Sequence, residues 1–279
     1  MESKSPTAFH DEYIMGRTSE EYQRLRKQAQ AFEPATRRVL QQIGLCEGMR
    51  CLDMGCGPGE VMRLMGEFVG PSGTVTGLDC DSRLGNAAIE VLRATQQSRF
   101  QFIECDLESV DEIEGQPFDV TYARLVLIHV RDPLAALRKM YAWTKPGGYI
   151  VVQDFDMRTI DLYPRLEAWA ELERVVFGVF ERTGKDTRIG YKLPAYFAEA
   201  GLGAPDGTDV TGFLMSLQQA SPMFLAVYRS LLPKALELGI TTEEDSELFF
   251  RAIEEAVEEG RYYSMFRPLL IGVWKRKPA

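Results

Sequence analysis

Gly55, Gly57 and Gly59 stand three in five positions inside LDMGCGPGE. Before them runs the short apolar segment MRCLD; after them Val61, Leu64, Met65 and Phe68 share one helical face. A turn that tight between strand and helix needs residues without a Cβ, to reach positive φ and to let backbone approach closely. The alternation continues down the chain. GTVTGLD (73–79) reads as a second strand and Leu84, Ala87, Ala88, Val91 and Leu92 as a second helix. RFQFIECD (99–106), FDVTYA (118–123) and YIVVQDF (149–155) read as three more strands. Asp132 caps and Pro133 opens a helix carrying Leu134, Leu137 and Tyr141, and KPGG makes a turn. Strands and helices alternating at this spacing predict an α/β fold with a parallel sheet covered on both faces. Ligands of such sheets bind outside the carboxyl ends of the strands, where the glycine loop falls.

Ahead of this region, Thr18 and Glu21 form a capping box for a helix with Tyr22, Leu25, Ala29 and Phe32 on one stripe. Pro34 opens the next helix, which carries Val39, Leu40 and Ile43 and ends near Gly44. The second half is less regular. A helix is expected over 162–184 and another near 190–200, with late strands at TDVTGFLM (208–215) and MFRPLLIGVWKRK (265–277). The helical residues between those strands include starts at Ser221-Pro222 and at a Thr241/Glu244 box. They read as a cap over the ligand cleft or an oligomer contact.

Several function classes fall away on composition. No apolar run approaches the ~20 residues of a membrane span, and the polar N-terminus has no signal-peptide h-region. Five cysteines at no metal-like spacing and only two histidines, His10 and His129, argue against a metal site and read as small buried hydrophobes of a reducing cytoplasm. A net charge of −9 disfavours a nucleic-acid partner. The basic WKRK (274–277) reads as a solvated chain end.

The loop's amides and the following helix end favour a negative group, which leaves dinucleotides and S-adenosylmethionine. The dinucleotide fingerprint wants Gly or Ala at its sixth position. Counted from Gly55 that position is Glu60, and from Gly57 it is Met62; the carboxylate of Glu60 would repel a pyrophosphate. Asp79, ending the second strand, suits the two ribose hydroxyls of either ligand. Asp106, ending the third, can accept from the adenine amine. Asp53, just before the turn, suits the ammonium of an amino-acid tail.

LDMGCGPGE, GLD (77–79), CDLE (105–108), FDVTYARLVLIHV (118–130) and KPGGYIVVQD (145–154) together resemble the class I S-adenosylmethionine-dependent methyltransferases in order and spacing, over about residues 34–156. YIMGRTSEEYQRLRKQAQ more weakly resembles the lid helices of small-molecule methyltransferases of bacterial secondary metabolism. The resemblance implies a Rossmann-like seven-stranded sheet, six strands parallel and one antiparallel, with N-terminal lid helices and a helical cap insertion between the last two strands. It implies cofactor contacts at Gly55, Gly57, Asp79, Asp106, Leu107 and Arg124, with Tyr22 and Gln28 of the lid closing over the cofactor. The expected division is a lid at 1–33, a core at 34–215, a cap at 216–262 and the last strand at 263–279.

Methyl transfer is an in-line displacement that releases a neutral group, so alignment and exclusion of water matter more than acid catalysis. A base helps only where the acceptor must lose a proton. His129, after the apolar LVLI at the active edge, is the candidate base or acceptor contact, with a backbone-bonded structural histidine as the other reading. Asp154, closing the fifth strand, would orient that base or bind the acceptor. Tyr13, Phe155, Trp169, Phe177, Phe213 and Tyr263 are candidate acceptor-pocket aromatics. The expected partner is a small, ring-bearing metabolite in the cytoplasm, methylated on oxygen, nitrogen or carbon, with no nucleic acid and no membrane; a homodimer is entertained. The alternatives are a non-catalytic S-adenosylmethionine-binding protein of this fold and an NAD(P)-dependent oxidoreductase. A nucleic-acid methyltransferase is disfavoured because ARLVLI stands where an Asn-Pro-Pro type motif would be.

Overall fold

The computed structural model describes residues 29–279; Tyr13, Tyr22, Gln28 and the Thr18/Glu21 box lie outside the described residues. In chain order the elements are α1 (Glu33–Gln42), β1 (Arg50–Met54), α2 (Glu60–Val69), β2 (Thr74–Asp79), α3 (Ser82–Thr95), β3 (Arg99–Glu104), β4 (Phe118–Arg124), α4 (Pro133–Trp143) and β5 (Thr144–Asp156). There follow β6 (Asp161–Tyr163), α5 (Trp169–Arg182), α6 (Ile189–Glu199), β7 (Gly207–Thr211), β8 (Leu214–Ser216), α7 (Leu217–Glu237), α8 (Glu243–Glu258), β9 (Ser264–Phe266) and β10 (Leu269–Arg276). Contacts divide them into two units.

The first unit comprises the described residues up to Asp156, with 188–211 and 270–279. Its sheet has seven strands in the order β3-β2-β1-β4-β5-β10-β7. The pairs β1–β2, β1–β4, β2–β3 and β4–β5 are parallel, as the crossover helices require. β10 runs against β7. It also runs against β5, because Lys277 at its end bonds Gly147 and Gly148 at the start of β5 while its Gly272 lies beside Gln153. Six strands are thus parallel and one antiparallel, the expected fold class. Val39 and Leu40 of α1 and Val61, Leu64 and Met65 of α2 close over Cys51, Val75, Val120 and Val151 in one core. Local signals set the helix ends: Asp81 accepts the Arg83 and Leu84 amides, and Asp132 accepts that of Ala135 at 2.8 Å.

The basic C-terminal cluster is not a solvated end. Lys277 Nζ donates to the Tyr141 and Thr144 carbonyls, both at 2.8 Å, at the C-terminal end of α4. Lys275 bonds Asp206 at 2.9 Å and Arg276 Nε the Gly147 carbonyl at 2.9 Å.

The second unit, 157–187 with 212–269, is a three-stranded sheet in the order β6-β9-β8 with α5, α7 and α8. Residues 157–187 were expected in the core and cluster here instead. The expected strand 208–215 is two strands in different sheets, interrupted before β8; a Cβ at Gly212 would come within 2.9 Å of the Phe266 ring. The expected strand 265–277 is likewise two, parted at Arg267-Pro268, where proline offers no ladder donor. The helix expected from 162 begins at Trp169, after β6. α7 starts at Leu217 through a Ser216/Gln219 capping box, not at Ser221-Pro222. Pro222 cannot donate to the Gln218 carbonyl, which instead accepts the Ser221 hydroxyl. α8 is capped by Thr242 rather than Thr241. Thr241 donates to Glu171 at 2.6 Å, which also accepts from Tyr228 at 3.0 Å and pairs with Arg174, tying α5 to α7 and the start of α8. No helix among the described residues is long and apolar enough to cross a membrane.

Candidate active site

The loop after β1 adopts the conformation its glycines permit: φ is +70° at Gly55, +48° at Gly57 and +78° at Gly59. The three positions differ in what surrounds them. A Cβ at Gly55 would lie 2.5 Å from Val126 Cγ2, and one at Gly59 2.9 Å from Ala88 Cβ. One at Gly57 would meet nothing within 4 Å. Gly55 and Gly59 are bare because protein approaches them; Gly57 is bare over open space. The Gly55 and Cys56 amides donate to the Leu78 carbonyl at 2.7 and 3.0 Å, fixing the loop to the end of β2.

Asp79 ends β2 with its carboxylate bridging the glycine loop and the turn that follows β2. Oδ2 accepts the Gly57 amide at 2.8 Å and Oδ1 the Asp81 amide at 3.0 Å. Burial raises its carboxyl, and these amides with that of Cys80 pull it back toward the charged form. Each oxygen keeps a lone pair for one further donor. Asp53 is 1% exposed, and its Oδ2 has no hydrogen-bond partner. Burial pushes its carboxyl up to about 7, with Arg124 pulling it down and Asp79 adding to the rise. A buried carboxylate oxygen left without a donor is costly unless a ligand or water supplies one.

Arg124, ending β4, is half-buried, and burial lowers its guanidinium. Its Nη1 donates to Thr36 Oγ1 at 2.9 Å, Thr36 donates to Gln153 Oε1 at 2.8 Å, and Tyr122 OH bonds the same oxygen. The sequence reading missed Thr36 and Gln153. Thr36 is a polar residue on the buried face of α1, the one signal that could have marked it. Asp106 lies just past β3, where Oδ1 accepts the Glu108 amide at 2.9 Å. Leu107 is buried, its carbonyl accepting from Lys139 Nζ at 2.9 Å.

His129 is half-buried on the loop after β4, its amide donating to the Val126 carbonyl at 2.9 Å. Leu125 starts that loop with φ +58°, uncommon for a residue with a Cβ. Asp154 explains how the turn is held. The carboxylate is fully buried; Oδ2 accepts the Ile128 amide at 3.1 Å and Oδ1 the Phe155 amide at 2.9 Å, with the Leu127 and Val126 amides also turned toward it. Burial raises its carboxyl to about 7 against the pull of those amides. Asp154 thus acts on the loop that carries His129. The candidate aromatics are largely packed: Trp169 against Phe224 (5.6 Å between centroids), Phe155 against Phe32 (5.4 Å), Phe177 under Arg158, Phe213 under Arg267, and Tyr263 buried beside Arg261.

The cysteines divide. Cys51 and Cys56 are buried, as expected of small hydrophobes, but Cys46 and Cys80 are exposed and Cys105 is half-buried.

Asp53, Gly55, Gly57, Asp79, Asp106, Leu107, Arg124, His129 and Asp154 all fall at the carboxyl edge of the first unit's sheet, which carries a strand–loop–helix turn and four acids. Comparison with known proteins agrees with that arrangement. A family model described as a methyltransferase domain matches residues 45–201, more than half of the chain. An uncharacterized 37.1 kDa protein from a transposon of Streptomyces fradiae is 31% identical over 186 residues, covering 65% of this chain and 51% of that protein. Demethylmenaquinone methyltransferase of Staphylococcus aureus is 27% identical over 132 residues, covering 47% of this chain and 54% of the relative. The chain thus spans about half the length of these curated relatives. The crystal structure of a candidate methyltransferase from Bacillus halodurans superposes with a TM-score of 0.60 at 17% identity, covering 87% of this chain and 99% of that one, which establishes likeness of fold. With the family model matched over the glycine loop and the strand-end acids, the chain belongs to the class I S-adenosylmethionine-dependent methyltransferases.

Proposed function

We propose that this protein transfers the methyl group of S-adenosylmethionine to a small, ring-bearing metabolite. The observation that carries the reading is the pairing of Gly57, open where a side chain would stand, with Asp53, whose buried oxygen has no donor, beside the two-oxygen acceptor Asp79. The set of acceptors suits the cofactor's parts. Asp79 offers one oxygen to each ribose hydroxyl, Asp106 an acceptor for the adenine amine, and Asp53 a carboxylate for the ammonium. Gly57 lets the chain approach the amino-acid tail, and Arg124 lies on the same edge as Asp53. An acidic pyrophosphate would meet Asp53, Glu60 and Asp79 together, which disfavours a nicotinamide cofactor.

When bound, the cofactor supplies an electrophilic methyl on a sulfonium. The chain's part is alignment and exclusion of water. Asp154 holds the 126–128 amides and so fixes His129, which accepts the acceptor's proton at an imidazole nitrogen where the acceptor carries one. A net charge of −9, with Lys275, Arg276 and Lys277 engaged within the fold, supports a free metabolite in the cytoplasm over a nucleic acid. The ring-bearing acceptor rests on the likeness to a demethylmenaquinone methyltransferase. A homodimer remains part of this reading through the exposed Leu248 on α8.

The test is an acceptor panel read by mass shift and by S-adenosylhomocysteine release, with His129→Ala alongside. Wild type should methylate a ring-bearing acceptor, and the variant should lose turnover while keeping cofactor affinity. A protein that binds cofactor but methylates nothing across the panel supports the non-catalytic alternative; unchanged turnover in His129→Ala removes that residue from the mechanism.

A further inference from the structure

Cys80 and Cys105 were not absorbed by the proposed function, yet they sit in its midst. β2 and β3 pair in parallel register up to Asp79 opposite Glu104. The Cys105 amide donates to the Asp79 carbonyl at 2.9 Å, the last bond of that ladder, so Cys80 and Cys105 are the residues that directly follow its final pair. The paired strand ends they leave from are about 4.8 Å apart, which keeps the two cysteines within reach of the ~4.4–6.8 Å between Cα atoms that a disulfide spans. Cys80 is exposed and Cys105 half-buried, and the charge of one is felt at the other. Each adjoins an acid of the proposed nucleoside site: Cys80 follows Asp79 with its amide near that carboxylate, and Cys105 precedes Asp106 and donates its thiol to the Asp106 carbonyl at 3.4 Å.

We propose that Cys80 and Cys105 form a reversible disulfide that closes the nucleoside end of the cofactor site under oxidising conditions. The gate rests on the cofactor reading above; the cross-link itself does not. With a low-molecular-weight disulfide such as oxidised glutathione, the Cys80 thiolate attacks one sulfur, the glutathione S–S bond breaks and one glutathione leaves as thiol. The Cys105 thiolate then attacks the Cys80 sulfur of the mixed disulfide and releases the second glutathione. Two protein thiols are oxidised by two electrons, one glutathione disulfide is reduced to two thiols, and the protein's two protons pass through solvent to the departing glutathiones. Closure draws Cys80 toward β3, takes its amide off Asp79 and ends the thiol bond to the Asp106 carbonyl. Cys51 and Cys56 are buried with thiols raised by that burial, so they stay out of the exchange.

The experiment uses the full chain with Cys46→Ser, which removes the other exposed thiol. After treatment with oxidised glutathione, peptide mapping should find an 80–105 cross-link lighter by two hydrogen atoms. Calorimetry with S-adenosylhomocysteine should find affinity weaker by about tenfold or more, restored by dithiothreitol. Cys80→Ser and Cys105→Ser should each bind like the reduced protein and ignore the oxidant, and prior saturation with S-adenosylhomocysteine should slow the cross-link. Absence of the 80–105 cross-link, or a cross-link that leaves affinity unchanged, overturns the proposal while the cofactor reading stands. A reduced protein that does not bind S-adenosylhomocysteine overturns the cofactor reading, and the gate with it, even where the cross-link forms.

Discussion

Alanine at Gly55 and alanine at Gly57 should fail in different ways. At Gly55 the φ of +70° costs a residue with a Cβ about 1–2 kcal/mol. Its Cβ would also stand 2.5 Å and 3.2 Å from the two methyls of Val126, on the loop that Asp154 fastens. Forced overlap in a packed site adds about 1–3 kcal/mol. A stiffer unfolded chain returns about 0.4–1 kcal/mol. The net loss is about 2–4 kcal/mol, a melting midpoint lower by roughly 5–15 °C for a chain of this size. At Gly57 only the backbone cost applies, since nothing lies within 4 Å of the added Cβ, so the midpoint should fall by a few degrees at most. Its methyl, however, enters the space assigned to the cofactor, and S-adenosylhomocysteine affinity should fall by more than about tenfold. Thermal melts and calorimetry on both variants decide the matter. A Gly57→Ala protein that binds as tightly as wild type would refute the assignment of that space, and a Gly55→Ala protein that melts with wild type would refute the packing argument.

Two further outcomes follow from the buried acids. Asp53 and Asp154 have folded values near 7, well above those of an unfolded aspartate, so the folded state holds their protons more tightly. Their contribution to stability is full below about pH 4 and is lost as pH rises to about 7, after which it is flat. A cofactor ammonium needs Asp53 ionised, so S-adenosylhomocysteine affinity should weaken by up to about tenfold per unit as pH falls below 7, and Asp53→Asn should flatten that profile in calorimetry; a wild-type profile level from pH 8 to 5 would oppose the role given to Asp53. Asp154→Ala leaves the Ile128 and Phe155 amides buried without an acceptor, a loss of about 1–3 kcal/mol each in chemical denaturation, with cofactor affinity affected less than turnover. Equal stability to wild type would mean the carboxylate is not what holds the loop.

The parts of the site legible in the sequence are those set by neighbours along the chain. The Gly55–Gly59 turn, the cap at Asp132 and Asp79 at a strand end each follow from a few adjacent residues, and each is where that local chemistry predicts. The parts that were not legible depend on distant partners. Thr36 meets Gln153 across 117 positions, and nothing near either residue announces the other. Asp154 sits at the end of β5, as read, but its bonds go to amides of a turn whose shape, with Leu125 at positive φ, no local pattern encodes. In the second unit, Gly212 and Pro268 are strand breakers visible in the sequence, yet the apolar residues around them ran the expected strands together. The exposure of Cys80 could not be read from a run that looks like a strand end.

The most direct test of the account is a calorimetric titration of wild type and Asp79→Ala with S-adenosylhomocysteine, with NAD as the parallel control. On the proposed reading Asp79 gives one oxygen to each ribose hydroxyl, so its loss would remove hydrogen bonds to a charged acceptor worth about 1.5–3 kcal/mol each. The account predicts micromolar binding of S-adenosylhomocysteine to wild type, none of NAD, and a loss of at least about a hundredfold in the variant. Binding of NAD alone, or of neither ligand, would contradict it and withdraw the roles given to Asp53, Asp79 and Asp106.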